Sequence, residues 1–174
     1  MKHLSRAWRV TGLTNRFIDP IPAQMQTGKH WYLGTADAIY QNLHLIHGLD
    51  PEHVCVFGGD HIYKMDVRQM LDYHRHHNAK LTVAAIPVLV EQAHEFGVIE
   101  VDASGRMIGF EEKPKTNPKT IPGRPGFVLA SMGNYIFEAK TLVDVLEEDA
   151  KQADSKHDFG HNIIPGLYPS GDVY

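Results

Sequence analysis

The first clear hydrophobic period in the chain begins at Gly34-Thr35. Apolar residues recur at Ala36, Ile39, Tyr40, Leu43 and Ile46, the spacing of a helix with one buried face. Thr35 suits the N-cap, Asp37 puts negative charge in the first turn, and Gly48 ends the run. The pattern then changes. Val54-Cys55-Val56-Phe57 is an unbroken apolar run, which predicts a strand buried on both faces with Cys55 as a small core residue. Val67, Met70, Leu71 and His74 predict a helix over 66–77. Leu81 to Ile86 is apolar and β-branched and predicts a strand closed by Pro87. Helix, strand, helix and strand in this order predict an α/β layer fold with a parallel sheet and helices on both faces.

The second half reads differently. Val98–Val101 and Arg106–Phe110 flank Asp102-Ala103-Ser104-Gly105, the signature of a β-hairpin. A loop with Pro114, Pro118, Pro122 and Pro125 follows. Met132–Phe137 predicts a strand, and Leu142, Val143 and Leu146 predict a helix ending at Glu147-Glu148-Asp149. Ala150–His157 is polar and reads as a loop. Phe159–Leu167 predicts a short helix interrupted by Pro165. The first 25 residues carry no period, and Pro20 and Pro22 stop any regular element there. No internal repeat or low-complexity tract is present.

Composition narrows the class. A chain of 174 residues suits one domain with a sizeable core. With 17 Lys and Arg against 21 Asp and Glu, the net charge of −4 argues against a broadly basic, nucleic-acid-binding surface. The single Cys excludes an internal disulfide framework and fits a cytoplasmic setting. No apolar run approaches the roughly 20 residues that span a bilayer. Of the 12 His, the group His74, His76 and His77 is densest, but only 74 and 77 share a helical face, which suits a solvated helix end better than a metal site.

Three places offer chemistry. Asp60 follows Gly58-Gly59 at the carboxyl end of a strand, where α/β sheets bind ligands. A carboxylate there suits Mg²⁺ bridging to phosphate; a tight turn alone is the alternative. Gly34-Thr35-Ala36 opens a helix whose free N–H groups suit phosphate, with ordinary capping as the alternative. Glu111-Glu112-Lys113-Pro114 closes a strand beside the proline-rich loop, and Lys113 can pair with a phosphate as a point charge. Ser131 and His157 show no triad partner in the sequence. No Walker-type or G-x-G-x-x-G loop occurs.

Several segments together resemble one family. In order they are Pro22-Ala23-Gln24, Trp31-Tyr32-x-Gly34-Thr35-Ala36-Asp37-Ala38, and Gly59-Asp60-His61-Ile62-Tyr63-Lys64-Met65-Asp66. Phe96-Gly97-Val98, Phe110-Glu111-Glu112-Lys113-Pro114, Leu129-Ala130-Ser131-Met132-Gly133 and Asp158-Phe159-Gly160 follow. Nearly the whole chain resembles the glucose-1-phosphate adenylyltransferases, the ADP-glucose pyrophosphorylases of the bacterial glycogen type. The short matches are shared by sugar nucleotidyltransferases broadly; the long versions in this order are specific to the ADP-glucose branch.

The resemblance implies a Rossmann-like nucleotidyltransferase fold, with a mixed, mostly parallel sheet. It implies transfer of the adenylyl group from ATP to glucose 1-phosphate, giving ADP-glucose and pyrophosphate. Asp60 is then the catalytic Mg²⁺ carboxylate. Tyr32, Gly34 and Thr35 lie along the nucleotide-sugar site, and Gln24 reads the adenine. Gly97, Glu112, Lys113, Ser131 and Asp158 hold the sugar and its phosphate, with Lys113 on the phosphate and Glu112 on sugar hydroxyls. The intact family is tetrameric and allosteric, which implies a homo-oligomer.

Departures accompany the likeness. The family's glycine-rich phosphate loop, its Trp-Arg-Asp-Val-Gly segment and its C-terminal β-helix are absent from 1–174, so the expectation is a partial catalytic domain. His161 and Asn162 stand where the family commonly has Lys and Asp, and Val67 where it has an aromatic. Two other readings stay open: a non-catalytic truncated or regulatory subunit, and a sugar nucleotidyltransferase using another nucleotide.

Overall fold

The computed structural model describes residues 18–23, 31–60, 62 and 64–174. The chain divides into two units, Met1–Tyr32 and Leu33–Tyr174. The described residues of the first carry no helix or strand.

In the second unit the period beginning at Gly34 becomes two helices, α1 (Thr35–Tyr40) and α2 (Leu43–Leu49). The interruption lies at Gln41-Asn42. The Asn42 side chain donates to Ala38 O at 2.8 Å, one of the local amide-to-backbone bonds that compete with a continuous ladder. Strand β1 (His53–Phe57) and helix α3 (Val67–His76) follow. Asp66 caps α3 by accepting from Arg68 N at 3.0 Å. Strand β2 spans Leu81–Leu89, and a 3₁₀ turn at Val90–Glu95 leads to the hairpin β3 (Gly97–Val101) and β4 (Met107–Glu112). Asp102 closes that hairpin: its Oδ1 accepts from Ser104 N at 2.8 Å and Arg106 N at 3.1 Å. Strand β5 (Phe127–Glu138) runs directly into α4 (Ala139–Asp149). A π-helical turn at Phe159–Ile163, α5 (Ile164–Leu167) and a 3₁₀ turn at Tyr168–Ser170 complete the unit.

The mixed α/β class holds, but the expected parallel pairing does not. Every strand pair among the described residues is antiparallel, and the one parallel contact is an isolated bridge between Leu81 and Val173. The reason is β5. It pairs with β1 over Asn134–Glu138 and with β3 at Leu129 and Ala130, while β2 runs along its other edge from Phe127 to Phe137. Strands β1 and β2, joined through α3, therefore do run in the same direction, as a βαβ crossover requires. A strand from much later in the sequence is inserted between them.

Two further expectations are corrected. Cys55 is exposed, not core. Val54 and Val56 pack on the main core, so the alternating pleat turns Cys55 to the other face of β1. Alternation was hidden because all four residues of the run are apolar. Pro87 does not close β2; it pairs with Leu129 inside the strand. It lies beyond Lys80–Val83, where Asp172 and Tyr174 bond the outer edge of β2, so no ladder bond needs its missing N–H.

The core lies on one face of the sheet. Leu81, Phe137, Leu142, Leu146, Phe159 and Ile164 form its centre, all buried. In α4, the buried Ala139, Leu142 and Leu146 follow helical spacing toward that face. Fully burying a side chain such as Phe137 contributes about 2–3 kcal/mol. Helix α3 covers the opposite face. There His74 is buried, not solvated as expected for a helix end, and its Nδ1 meets Thr82 Oγ1 at 2.8 Å.

Candidate functional site

A cleft of about 800 Å³ opens along the ends of β1 and β4 and the middle of β5 and is walled by α1 and the π turn. Of the residues singled out in the sequence, Thr35, Asp60, Gly97, Glu112, Lys113, Ser131 and Asp158 all line it. They come from six separate stretches of chain. Gly34 is not among the lining residues. Tyr32 belongs to the first unit, and Gln24 lies outside the described residues.

Gly34 makes a close backbone approach. A Cβ on it would stand 2.2 Å from His157 O and 2.4 Å from Lys156 O, so only glycine lets these two backbones meet. The expected phosphate site at the start of α1 is also taken. The N–H groups of Ala36 and Asp37 both donate to His157 O, at 2.9 and 3.3 Å. Nor is Thr35 a cap, since Gly34 occupies that position. The Thr35 hydroxyl instead donates to Asp158 Oδ2 at 2.9 Å and accepts from Phe159 N at 3.2 Å.

Glu112 sits at the floor of the cleft, with its side chain largely buried. Its Oε2 lies 2.8 Å from where a Gly97 Cβ would be and 2.6 Å from where a Gly160 Cβ would be. Two glycines thus make the room that this carboxylate fills. The next residue, Lys113, has φ of 50°, a left-handed conformation uncommon outside glycine. Its N–H donates to Phe96 O at 3.0 Å, which ties the end of β4 to the start of β3. The turn separates the two charges: Lys113 Nζ is exposed and 4.0 Å from Glu112 Oε1.

Asp158 is held from several sides. Burial pushes its carboxyl up, but hydrogen bonds from the side chain and backbone of His161 and from Thr35 outweigh that, and it rests below the ordinary range. Ser131 Oγ accepts from Gly133 N at 3.3 Å. Tyr135, two positions further on, also lines the cleft. Burial pushes its phenol up to about 12, with the nearby charges of Asp158 and Glu112 adding to the effect. Tyr135 therefore stays a neutral hydroxyl. Sequence reading missed it, although the strand alternation 131, 133, 135 contained the signal.

The cleft carries Asp60, Glu95, Glu112 and Asp158 against Lys113. Among the described lining residues, four carboxylates and one ammonium repel a bare polyphosphate. They accept one whose charge is neutralised by a bound divalent cation. A divalent cation there would find a hard oxygen donor in Asp60. No cluster of three or more metal-ligating side chains occurs among the described residues.

His157 does have a side-chain partner, but not one that makes a triad. Its Nδ1 lies 2.7 Å from Asp149 Oδ2, and Ser155 Oγ donates to Asp149 Oδ1 at 2.6 Å. These are the residue types of a nucleophilic triad in the wrong order of contact. The serine is bonded to the carboxylate, not to the imidazole, so it is not activated.

Comparison with known proteins identifies the family. A model of the nucleotidyl transferase family matches residues 2–174. The chain is 62% identical over 99% of its length to glucose-1-phosphate adenylyltransferase of Aliivibrio fischeri, covering 42% of that protein. It is 60% identical to glucose-1-phosphate adenylyltransferase 1 of Vibrio cholerae and 52% identical to the enzyme of that name from Anaeromyxobacter dehalogenans. Each match again covers 99% of this chain and 42% of the relative. The chain thus spans less than half the length of these relatives. The match runs through every segment that builds the cleft, and the chain belongs to the nucleotidyl transferase family.

Proposed function

We propose that the chain forms part of the catalytic domain of a glucose-1-phosphate adenylyltransferase. A phosphate oxygen of glucose 1-phosphate attacks the α-phosphorus of ATP; the bond to the β-phosphate oxygen breaks, pyrophosphate leaves and ADP-glucose forms. The observation that carries this reading is the convergence of Asp60, Glu112, Lys113, Ser131 and Asp158 on one cleft. Transfer of this kind rests on positioning and charge neutralisation, not on a covalent nucleophile. That suits a site beside which Ser155 and His157 lack nucleophilic geometry.

In this reading Mg²⁺, held by Asp60, supplies charge neutralisation at the phosphates. Lys113 reaches the sugar phosphate from its left-handed turn. Glu112 and Asp158 accept hydrogen bonds from sugar hydroxyls, and Ser131 and the neutral Tyr135 phenol supply hydroxyl groups beside them. No helix among the described residues is long and apolar enough to cross a membrane, and we place the protein in the cytoplasm as a homo-oligomer, in keeping with the resemblance.

Calorimetric titration of the chain with ADP-glucose, UDP-glucose and dTDP-glucose in the presence of Mg²⁺ tests the proposal. ADP-glucose is expected to bind tightest. A clear preference for the uridine or thymidine sugar nucleotide overturns it.

A further inference from the structure

Asp158 reaches the cleft from a short segment that begins at the end of α4. Asp149, the last residue of that helix, is buried and accepts two hydrogen bonds, from Ser155 Oγ and from the His157 ring. A carboxylate only accepts, so His157 Nδ1 carries the hydrogen. The backbone of His157 is in the left-handed region, with φ of 51°, and its N–H donates to Ser155 Oγ at 2.9 Å. Side chain and main chain of one residue are therefore both fastened to the end of α4.

The left-handed turn has two outputs. The His157 carbonyl points at α1 and accepts from the N–H groups of Ala36 and Asp37. The next residue, Asp158, is turned into the cleft, where the Thr35 hydroxyl from the same helix meets its Oδ2. Two walls of the cleft, α1 and the π turn, thus share one fixed point. Histidine pays a conformational penalty in the left-handed region, and such strain persists only where surrounding bonds hold it. The bond to Asp149 is what holds it here.

We propose that Asp149 and His157 form a positioning pair for the sugar end of the cleft. They hold the left-handed turn that sets Asp158 and the start of α1 relative to one another. Neither residue lines the cleft, so they act through Asp158 and Thr35. The inference rests on the proposed function for the identity of the ligand, and on geometry alone for the turn.

The test uses the 174-residue chain, titrated with ADP-glucose and separately with ADP, together with amide hydrogen exchange at Ala36 and Asp37. His157→Ala is expected to weaken ADP-glucose about tenfold or more and leave ADP within about twofold. The Ala36 and Asp37 amides should exchange about tenfold faster. His157→Asn tolerates the left-handed backbone and offers an N–H where Nδ1 stood, so it should recover most of both losses. If His157→Ala does not fold, Asp149→Asn takes its place, since it keeps the shape of the side chain and weakens the bond to the His157 ring. The proposal is overturned if the variant binds ADP-glucose like wild type, loses both ligands alike, or fares no worse than His157→Asn. Should the wild-type chain bind neither ligand, the proposed function fails, and exchange decides the pair. Unchanged exchange at Ala36 and Asp37 in the alanine variant then overturns it.

Discussion

Thr35 Oγ1 donates to Asp158 Oδ2 at 2.9 Å, joining residues 123 positions apart in sequence across one edge of the cleft. The same oxygen accepts from Phe159 N. Thr35→Val keeps the shape and removes both bonds. It should lower stability by about 1 kcal/mol and raise the Asp158 carboxyl toward its ordinary range. Thr35→Ser should be near neutral. Denaturant melts and the acid titration of Asp158 by NMR check both. A valine variant as stable as wild type would show that the hydroxyl is idle.

The two glycines around Glu112 should respond differently to alanine. At Gly97 the new Cβ would lie 2.5 Å from the Phe110 ring as well as close to Glu112. A packed ring inside a hairpin cannot step aside, so Gly97→Ala should destabilise by about 1–3 kcal/mol and also weaken ADP-glucose binding. At Gly160 the nearest obstacle is the tip of the Glu112 side chain. That tip can swing, so Gly160→Ala should leave the melt nearly unchanged and lose binding alone. Equal effects on stability at the two sites would contradict this account.

Lys113 is exposed and its ion pair with Glu112 is long, so the pair adds little to folding. Lys113→Met should therefore melt like wild type. It should bind ADP-glucose about tenfold more weakly, with a smaller dependence on salt. A large fall in melting temperature without loss of affinity would assign Lys113 to structure.

Acid should unfold the protein through His74. Burial, with the neighbouring His53 ring edge-on at 5.0 Å and Arg75 nearby, holds its pKa down to about 4 against 6.5 in the unfolded chain; Glu138 opposes this more weakly. The unfolded state then binds the proton more readily. Stability is complete above pH 6.5 and falls progressively as pH drops toward 4. At pH 5 this contribution amounts to a loss of about 2 kcal/mol. His74→Gln should flatten that slope in urea melts taken between pH 7.5 and 5, as measured against wild type.

Local chemistry was readable from the sequence where one residue type has one structural use. The hairpin followed from Asp102-Ala103-Ser104-Gly105, and the cleft residues Asp60, Glu112 and Lys113 from strand ends beside glycines and a proline-rich loop. Pairing direction was not readable. Hydrophobic period tells how a strand is buried, not which strand lies beside it, so the insertion of β5 left no mark on β1 or β2. The apolar run 54–57 hid its own alternation because the outward residue was a cysteine. The Asp149–His157 pair was hidden for another reason. It depends on a left-handed turn in a polar loop, and no spacing rule reports such a turn.

The insertion of β5 also fixes an order of events. Strands β1 and β2 lie close in sequence and are joined by a single helix, yet they share no ladder until residues 127–138 arrive between them. Among the described residues, β1 and β2 have no other strand between them to close on. Only once Glu138 has left the ribosome can β1, β2 and β3 find their common neighbour, and Ser131 enters the cleft in the same step that completes the sheet. Closure of the sheet and entry of Ser131 into the cleft are then one event, and Asp158 and the π turn join afterwards. A ribosome stalled before Phe127 should display a protease-sensitive chain, and one stalled well past Glu138 a protected one.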